Sequence, residues 1–275
     1  MNALTRPPKA ATPFYVPQGD EIEVFEAAYR RRLPVVLKGP TGCGKTRFLE
    51  HMAARLVGST EEQGLRLITV ACHEDLTVSD LVGRHLLTAE ETVWVDGPLT
   101  NAVREGGICY LDEIVEARKD TTVVIHPLTD HRRYLPIEKL ASGMEAHPDF
   151  LLVLSYNPGY QSALKELKAS TLQRFVSITF DYPRPEVERR VVVGETSVNE
   201  DFAGKLVDLA NAMRNIDEAA HLEGPSTRLL IYAALLVLEG LPVSRACEAA
   251  ITSVLTDDPD TIEVLRELVA AHFGA

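Results

Sequence analysis

Residues 39 to 46 read Gly39-Pro40-Thr41-Gly42-Cys43-Gly44-Lys45-Thr46, which fits the pattern G-x-x-x-x-G-K-[ST]. The apolar run 35–38 (VVLK) precedes this stretch and predicts a buried strand, and residues 45 to 57 predict a helix. A glycine-rich turn in this context is typical of a phosphate-binding loop, because the backbone can wrap closely around phosphate oxygens and the helix N-terminus adds partial positive charge. The stretch therefore predicts a site for ATP, and all of its residues are candidate ligands.

Two side chains of this loop have predicted roles in phosphate chemistry. We expect Lys45 to neutralise the β- and γ-phosphates and Thr46 to offer its hydroxyl to Mg²⁺. A glycine-rich turn that binds nothing is the alternative, and the predicted strand and helix on either side argue against it.

A second signal lies in residues 108–113, which read ICYLDE. Four apolar residues predict a buried strand that ends in two acids, and open α/β sheets bind ligands at the carboxyl ends of their strands. Asp112 is the candidate to hold Mg²⁺ through water, and Glu113 is the candidate to polarise the water that attacks the γ-phosphate. An acidic strand end is common by itself, but together with the loop it predicts a two-part ATPase site.

Three further side chains are candidates for the same chemistry. Asn157 follows the apolar run 150–155 (FLLVLS), where its amide could orient the attacking water or contact the γ-phosphate, although Asn157-Pro158-Gly159 is also a turn sequence. Arg174 precedes another short predicted strand, and Arg228 opens a predicted helix. Phosphoryl transfer needs more positive charge than one lysine supplies, so both arginines are candidates, with an ordinary surface arginine as the alternative for each.

The order of the predicted elements indicates an α/β fold. Short apolar strands alternate with helices as far as Asp181, which predicts a parallel sheet covered by helices on both faces. Pro183 and Pro185 predict a linker, and all that follows is helical in pattern. We therefore predict a nucleotide-binding α/β domain over residues 1–182 and a small all-helical lid domain over residues 183–275.

Composition and charge argue against several classes of protein. A net charge of −12 disfavours a nucleic-acid partner, because such binders neutralise phosphates with Lys and Arg. No apolar run is long enough to cross a bilayer, and residues 1–18 lack the layout of a signal peptide. We therefore expect a cytoplasmic protein that binds no nucleic acid and does not insert into a membrane.

The assembled motifs resemble AAA+ ATPases of the MoxR group, and most closely those of the CbbQ/NirQ/NorQ family. The segments that carry the resemblance are LKGPTGCGKTRFLE (37–50), ITVACHEDLTVSDLVGRHLL (68–87), DGPLTNAVREGGICYLDEIVEARKDTTVVIHPLTDHRRYLP (96–136), HPDFLLVLSYNPGYQS (147–162), EGPSTRLLIYAALL (223–236) and TDDPD (256–260). The resemblance implies that Asn157 is sensor 1, that Arg174 is an arginine finger acting on a neighbouring subunit, and that Arg228 is sensor 2.

The resemblance also implies an assembly and partners. It implies a homo-oligomeric ring, usually a hexamer, with ATP bound between subunits, and a partner protein with a von Willebrand factor A domain. The implied target is either Rubisco, activated by removal of inhibitory sugar phosphates, or nitric oxide reductase. Overall similarity favours Rubisco activation, and the nucleotide site does not encode the target.

Two predicted hairpins belong to this resemblance. Residues 83–98 match an insertion of the family, and we expect either a hairpin that faces the ring pore with Trp94 as a contact residue or a surface hairpin with a half-buried Trp94. Arg132-Arg133 falls where a second hairpin precedes the sensor 1 strand, which makes this pair a candidate for a subunit boundary.

Other functions fit the sequence less well. A nucleotide kinase would not account for the helical second domain or for the Asp112–Glu113 pair, and a GTPase would need the guanine-reading pattern Asn-Lys-x-Asp, which the chain lacks. A DNA-remodelling AAA+ protein shares the fold, but the acidic charge disfavours it. A scaffold that binds ATP without hydrolysing it is opposed by the presence of Glu113.

Overall fold

The computed structural model describes residues 12–56, 65–88, 91–158, 167–220 and 224–274, without the side chains of 216–220. The chain divides into two compact units. The first, here called the sheet unit, consists of Gly19–Gly39 and Lys45–Phe180 together with the segment that ends at Pro13. The second, here called the helical unit, consists of Phe14–Gln18, Pro40–Gly44 and the chain from Asp181 onward.

The sheet unit is built on a parallel sheet. Its strands are β1 (Val35–Lys38), β2 (Leu67–Ala71), β3 (Gly83–Leu87), β4 (Thr92–Asp96), β5 (Gly107–Asp112), β6 (Tyr134–Ile137), β7 (Ser142–Glu145), β8 (Phe150–Tyr156) and β9 (Val176–Thr179). Five of them form one sheet in the order β2-β5-β8-β1-β9, and every neighbouring pair is parallel. The central strand β8 is buried along its whole length, which fits its largely apolar sequence. The predicted α/β fold with a parallel sheet is confirmed.

Helices surround this sheet. They are α1 (Glu21–Arg30), α2 (Lys45–Arg55), α3 (Val78–Val82), α4 (Pro98–Glu105), α5 (Lys119–Val124) and α6 (Ala169–Leu172), with 3₁₀ turns at Ile114–Glu116, His126–Leu128 and Glu138–Leu140. The buried face of α2 includes Phe48, whose ring packs in a T-shaped arrangement with that of Phe25 from α1, with 5.3 Å between the ring centroids. The sequence of residues 121–128 predicts one helix, but α5 ends at Val124, because Pro127 has no N–H to donate to a continuing helix.

Both predicted hairpins are present as two-stranded antiparallel sheets. β3 pairs with β4, and β6 pairs with β7. Trp94 is half-buried, its indole N–H donates to Asp96 at 2.7 Å, and its ring contacts His85 across the hairpin. Arg132 has an exposed guanidinium, whereas Arg133 donates to backbone carbonyls within its own unit, including that of Phe150 at 2.9 Å. Of this arginine pair, Arg133 therefore has a structural role inside the subunit.

The helical unit contains the remaining helices, which agrees with the helical pattern of the sequence beyond Pro185. They are α7 (Pro185–Thr196), α8 (Glu200–Ala220), α9 (Thr227–Leu238), α10 (Val243–Cys247), α11 (Ser253–Leu255) and α12 (Pro259–Phe273), with a π-helical turn at Glu248–Thr252. Their apolar faces form one core that includes Val207 and Met213 of α8, Leu230 of α9 and Leu265 of α12. Among the described residues, no helix has the length and apolar character needed to cross a membrane.

Candidate active site

The glycine-rich loop begins directly after β1. Gly39 has φ of 151°, and a Cβ atom at this position would lie 2.3 Å from the carbonyl oxygen of Phe180, so only glycine fits here. Lys45 is the first residue of α2 and is buried, and its Nζ donates to the Gly39 carbonyl at 2.8 Å. The Thr46 hydroxyl, one residue further on, is hydrogen-bonded to the hydroxyl of Tyr110 in β5.

The acidic pair lies where β5 ends. Asp112 is the last residue of β5, and its Oδ1 accepts hydrogen bonds from Tyr110 and from Ser155 of the neighbouring strand β8. Glu113 follows in the left-handed backbone region, with φ of 52° and ψ of 51°. Such values are uncommon for a residue with a side chain, and strained backbone of this kind clusters at functional sites.

The electrostatic surroundings of Glu113 suit a general base. Burial raises the pKa of the Glu113 carboxyl above its ordinary value of 4.5, while the positive charge of Lys45 lowers it and the negative charge of Asp112 raises it further. The backbone N–H of Asn157 donates to the same carboxylate. A carboxylate with a raised pKa accepts a proton more readily than one with the ordinary pKa.

The sheet brings five candidates to one edge. In the parallel register Leu111 lies opposite Leu154, so the residues that follow β5 and β8 emerge side by side. Asn157, directly after β8, is buried next to Glu113. The residues gathered at this carboxyl edge are Lys45, Thr46, Asp112, Glu113 and Asn157.

Arg174 lies elsewhere in the sheet unit. Val176 of β9 is opposite Val35 of β1, so Arg174 precedes the amino end of β9, whereas Lys45 follows the carboxyl end of β1. The Arg174 guanidinium is exposed and donates to Asp130 at 3.2 Å, and Arg132 binds the same carboxylate through two nitrogens. The structure therefore separates Arg174 from the other candidates of its own sheet unit.

Arg228 belongs to the helical unit, together with the loop tip Pro40–Gly44. A Cβ atom on Gly42, whose φ is 72°, would lie 2.5 Å from the Cβ of Ser226 and 3.8 Å from that of Arg228. The Gln18 side chain donates to the Cys43 carbonyl at 3.2 Å in the same unit. Arg228, the second residue of α9, thus lies beside the tip of the predicted phosphate loop.

A buried charged network holds the start of α9. Glu188 of α7 is fully buried, and two nitrogens of Arg214 donate to its two carboxylate oxygens at 2.8 Å each. Thr227 donates to the same carboxylate at 2.7 Å, and Arg214 also donates to the Pro225 carbonyl. The Arg214 guanidinium stacks 4.1 Å from the ring centre of Tyr182. This network fixes the turn that carries the candidate sensor 2 arginine.

Comparison with known proteins identifies the class and then the family. Residues 34–175 match the model of the AAA domain (dynein-related subfamily), and with the fold above this shows that the protein is a AAA+ ATPase, an enzyme that hydrolyses ATP. Residues 188–272 match the model of the CbbQ/NirQ/NorQ C-terminal region. The chain belongs to the CbbQ/NirQ/NorQ family, which confirms the resemblance predicted from the sequence.

Three curated relatives span nearly the full chain. Protein NorQ from Paracoccus denitrificans (strain Pd 1222) is 58% identical over 262 residues, which cover 95% of this chain and 94% of that protein. Protein CbbQ from Hydrogenophilus thermoluteolus is also 58% identical, with coverage of 95% and 96%. Denitrification regulatory protein NirQ from Pseudomonas aeruginosa is 55% identical, with coverage of 95% and 98%. The identities to NorQ and CbbQ are equal, so overall similarity does not separate the branches of the family.

Sequence patterns alone missed several residues of these surroundings. Tyr110 and Ser155 are polar side chains inside otherwise apolar strands, and that contrast was the available signal. Glu188 and Arg214 carried no local signal, since the two residues lie 26 positions apart in the sequence. The contact of Asp130 with Arg174 spans 44 positions and had no local signal either.

We predict that Arg214→Met lowers the free energy of unfolding by about 3–5 kcal/mol, because it leaves the Glu188 carboxylate buried without its cation. Urea unfolding followed by circular dichroism would measure the loss. Arg245→Met is the matched control, since the Arg245 side chain is 63% exposed in its pair with Glu248 and we expect no comparable change. Equal losses in the two variants would contradict the role given to the buried network.

Proposed function

We propose that this ATPase remodels a target protein as a ring of identical subunits, together with a partner that carries a von Willebrand factor A domain. The observation that carries the ring is the position of Arg174. Lys45 and Glu113 lie at the carboxyl edge of the sheet, whereas Arg174 lies at the amino end of β9 with an exposed guanidinium. A second subunit is the natural source of an arginine for each nucleotide site.

The residues at the carboxyl edge fit ATP together with Mg²⁺. Thr46 and Asp112 offer oxygen atoms, which Mg²⁺ prefers, and both are hydrogen-bonded to the hydroxyl of Tyr110. Bound Mg²⁺ would neutralise phosphate charge during transfer. The positive charge of Lys45 would neutralise the β- and γ-phosphates, and the glycine-rich backbone would wrap closely around their oxygen atoms.

We assign the steps of hydrolysis to side chains at this edge and to two arginines. Glu113 accepts a proton from the attacking water, and Asn157 holds that water or contacts the γ-phosphate. Arg228, beside the loop tip, acts as sensor 2 on the nucleotide of its own subunit. Arg174 of a neighbouring subunit stabilises the charge that develops in the transition state.

We predict that Glu113→Gln binds ATP normally but hydrolyses it about 10²–10⁴-fold more slowly, because an amide cannot accept the proton of the attacking water. Lys45→Ala should instead lose nucleotide binding. Steady-state ATPase assays and titration with a fluorescent ATP analogue separate the two effects. Glu145→Gln, an exposed substitution on β7, is the control. If Glu113→Gln hydrolyses ATP at the wild-type rate, Glu113 is not the catalytic carboxylate.

We predict that Arg174→Ala binds ATP nearly as wild type but loses about 10³-fold or more of the hydrolysis rate. Arg174→Lys should not restore the rate, because a point charge cannot reproduce the planar guanidinium. Arg66→Ala, which removes an exposed arginine paired with Glu105, is the control and should retain full turnover.

Mixed rings test whether Arg174 acts across a subunit boundary. Rings that combine Arg174→Ala and Lys45→Ala subunits contain some interfaces with an intact loop facing an intact arginine, so part of the ATPase activity should return. Light scattering with Mg-ATP should show a species several times 30.3 kDa, up to a hexamer. A monomer that hydrolyses ATP at full rate would refute the ring.

Rubisco, which is expected from the sequence, and nitric oxide reductase are both candidate targets, because identity to the NorQ relative equals identity to the CbbQ relative. We expect sugar-phosphate-inhibited Rubisco to regain carboxylation when this protein, the von Willebrand factor A partner and ATP are combined. Replacement by the Glu113→Gln variant should abolish the recovery. Absence of recovery, together with restored maturation of nitric oxide reductase, would assign the protein to the NorQ branch.

A further inference from the structure

Two buried hydroxyl groups lie between the acidic pair and the neighbouring strand. Tyr110 of β5 and Ser155 of β8 are both fully buried. The Tyr110 hydroxyl donates to Asp112 Oδ1 at 2.5 Å, and the Ser155 hydroxyl donates to the same oxygen at 2.6 Å. One carboxylate oxygen thus accepts two hydrogen bonds from groups shielded from solvent.

The protons of these hydroxyl groups can be assigned from the chemistry of their partners. The Tyr110 and Ser155 oxygens are also 3.0 Å apart, but each hydroxyl has a single proton and an ionised Asp112 can only accept. Both protons therefore point to Oδ1. In the described part of the chain no hydrogen bond reaches Asp112 Oδ2, which leaves that oxygen for the hydration shell of a cation.

The Ser155 oxygen has a second function on its other side. It accepts the backbone N–H of Glu113 at 3.1 Å. Glu113 has the left-handed backbone described above, which is unfavourable for a residue with a Cβ atom and persists only where neighbouring bonds hold it. Ser155 thus contacts both acids, whereas Tyr110 contacts Asp112 and, through its own oxygen, Thr46.

We propose that Tyr110 and Ser155 are positioning residues of the ATPase. Tyr110 and Ser155 together orient the Asp112 carboxylate for a bound metal ion. Ser155, unlike Tyr110, also binds the Glu113 backbone N–H and helps to hold the conformation that presents the Glu113 side chain. This inference rests on the proposed roles of Asp112 and Glu113. Groups that orient a metal ligand in this way commonly change metal affinity or activity by 10–100-fold when removed.

Tyr110→Phe tests the first part, because it removes one oxygen and keeps the ring that packs in the core. We expect the affinity for Mn²⁺, used in place of Mg²⁺ and measured by electron paramagnetic resonance in the presence of ADP, to fall about 10-fold. Affinity for a fluorescent ADP analogue in EDTA should remain that of wild type. Tyr29→Phe is the matched control, since Tyr29 donates to Asp149 at 3.4 Å, next to the amino end of β8. Unchanged Mn²⁺ affinity in Tyr110→Phe would overturn the inference for Tyr110.

Ser155→Ala tests the second part, because its effect on metal affinity can be measured separately from its effect on kcat. We expect Mn²⁺ affinity to fall as in Tyr110→Phe, and in addition kcat at saturating metal to fall about 10–100-fold, because Glu113 loses its backbone anchor. Tyr110→Phe should keep most of kcat under the same conditions. Thr100→Val, which removes a buried hydroxyl that donates to the Val82 carbonyl at 2.6 Å, is the control for lost stability. Equal kcat values at saturating metal in Ser155→Ala and Tyr110→Phe would overturn the inference that Ser155 holds the Glu113 backbone.

Asp112→Asn separates failure of this inference from failure of the proposed site. If Asp112→Asn keeps the Mn²⁺ affinity of wild type, the metal role of Asp112 is wrong and the positioning role is wrong with it. If Asp112→Asn weakens Mn²⁺ binding while Tyr110→Phe and Ser155→Ala do not, the site stands and only the positioning inference is overturned.

Discussion

The parallel pairing of β8 with β1 on one side and β5 on the other is the constraint on which the candidate active site depends. Parallel strands end at the same edge of a sheet, so the chain segments that follow these three strands must emerge together. One segment begins the glycine-rich loop, one carries the acidic pair, and one carries Asn157. An antiparallel strand at this position would send one of the three to the opposite edge.

Local patterns were enough to predict the main parts of the site and of the fold. The residues of the loop 39–46 are contiguous in sequence, and so are the two acids after residues 108–111. Each group follows a short apolar run that is typical of a buried strand. These motifs can be read from a few neighbouring residues, because the glycines and the lysine of a phosphate loop all lie within the eight residues 39–46. The same apolar runs also indicate a parallel sheet. A strand that is buried on both faces has a nearly continuous apolar sequence, whereas a strand with one solvated face alternates apolar and polar residues.

Other parts depend on contacts between distant segments and were not predictable in this way. Tyr110 meets Ser155 only because the register of β5 against β8 places residues far apart in sequence at hydrogen-bonding distance. The pairing of Glu188 with Arg214 depends on how two helices pack, and neither residue differs in sequence context from an exposed charge. The helix predicted over 121–128 was wrong in its length, because the apolar pattern outweighed the effect of a proline within it.

The bonds made by Arg133 have a consequence for folding kinetics. Its guanidinium donates to the Arg32 carbonyl, which is 101 residues away in the sequence, and to the Phe150 carbonyl at the start of β8. The contact with Arg32 requires closure of a large loop, whereas the contact with Phe150 spans only 17 residues. We expect the bond to Arg32 to be absent from the folding transition state, in which case it slows unfolding and contributes to the lifetime of the folded subunit more than to the speed with which it folds.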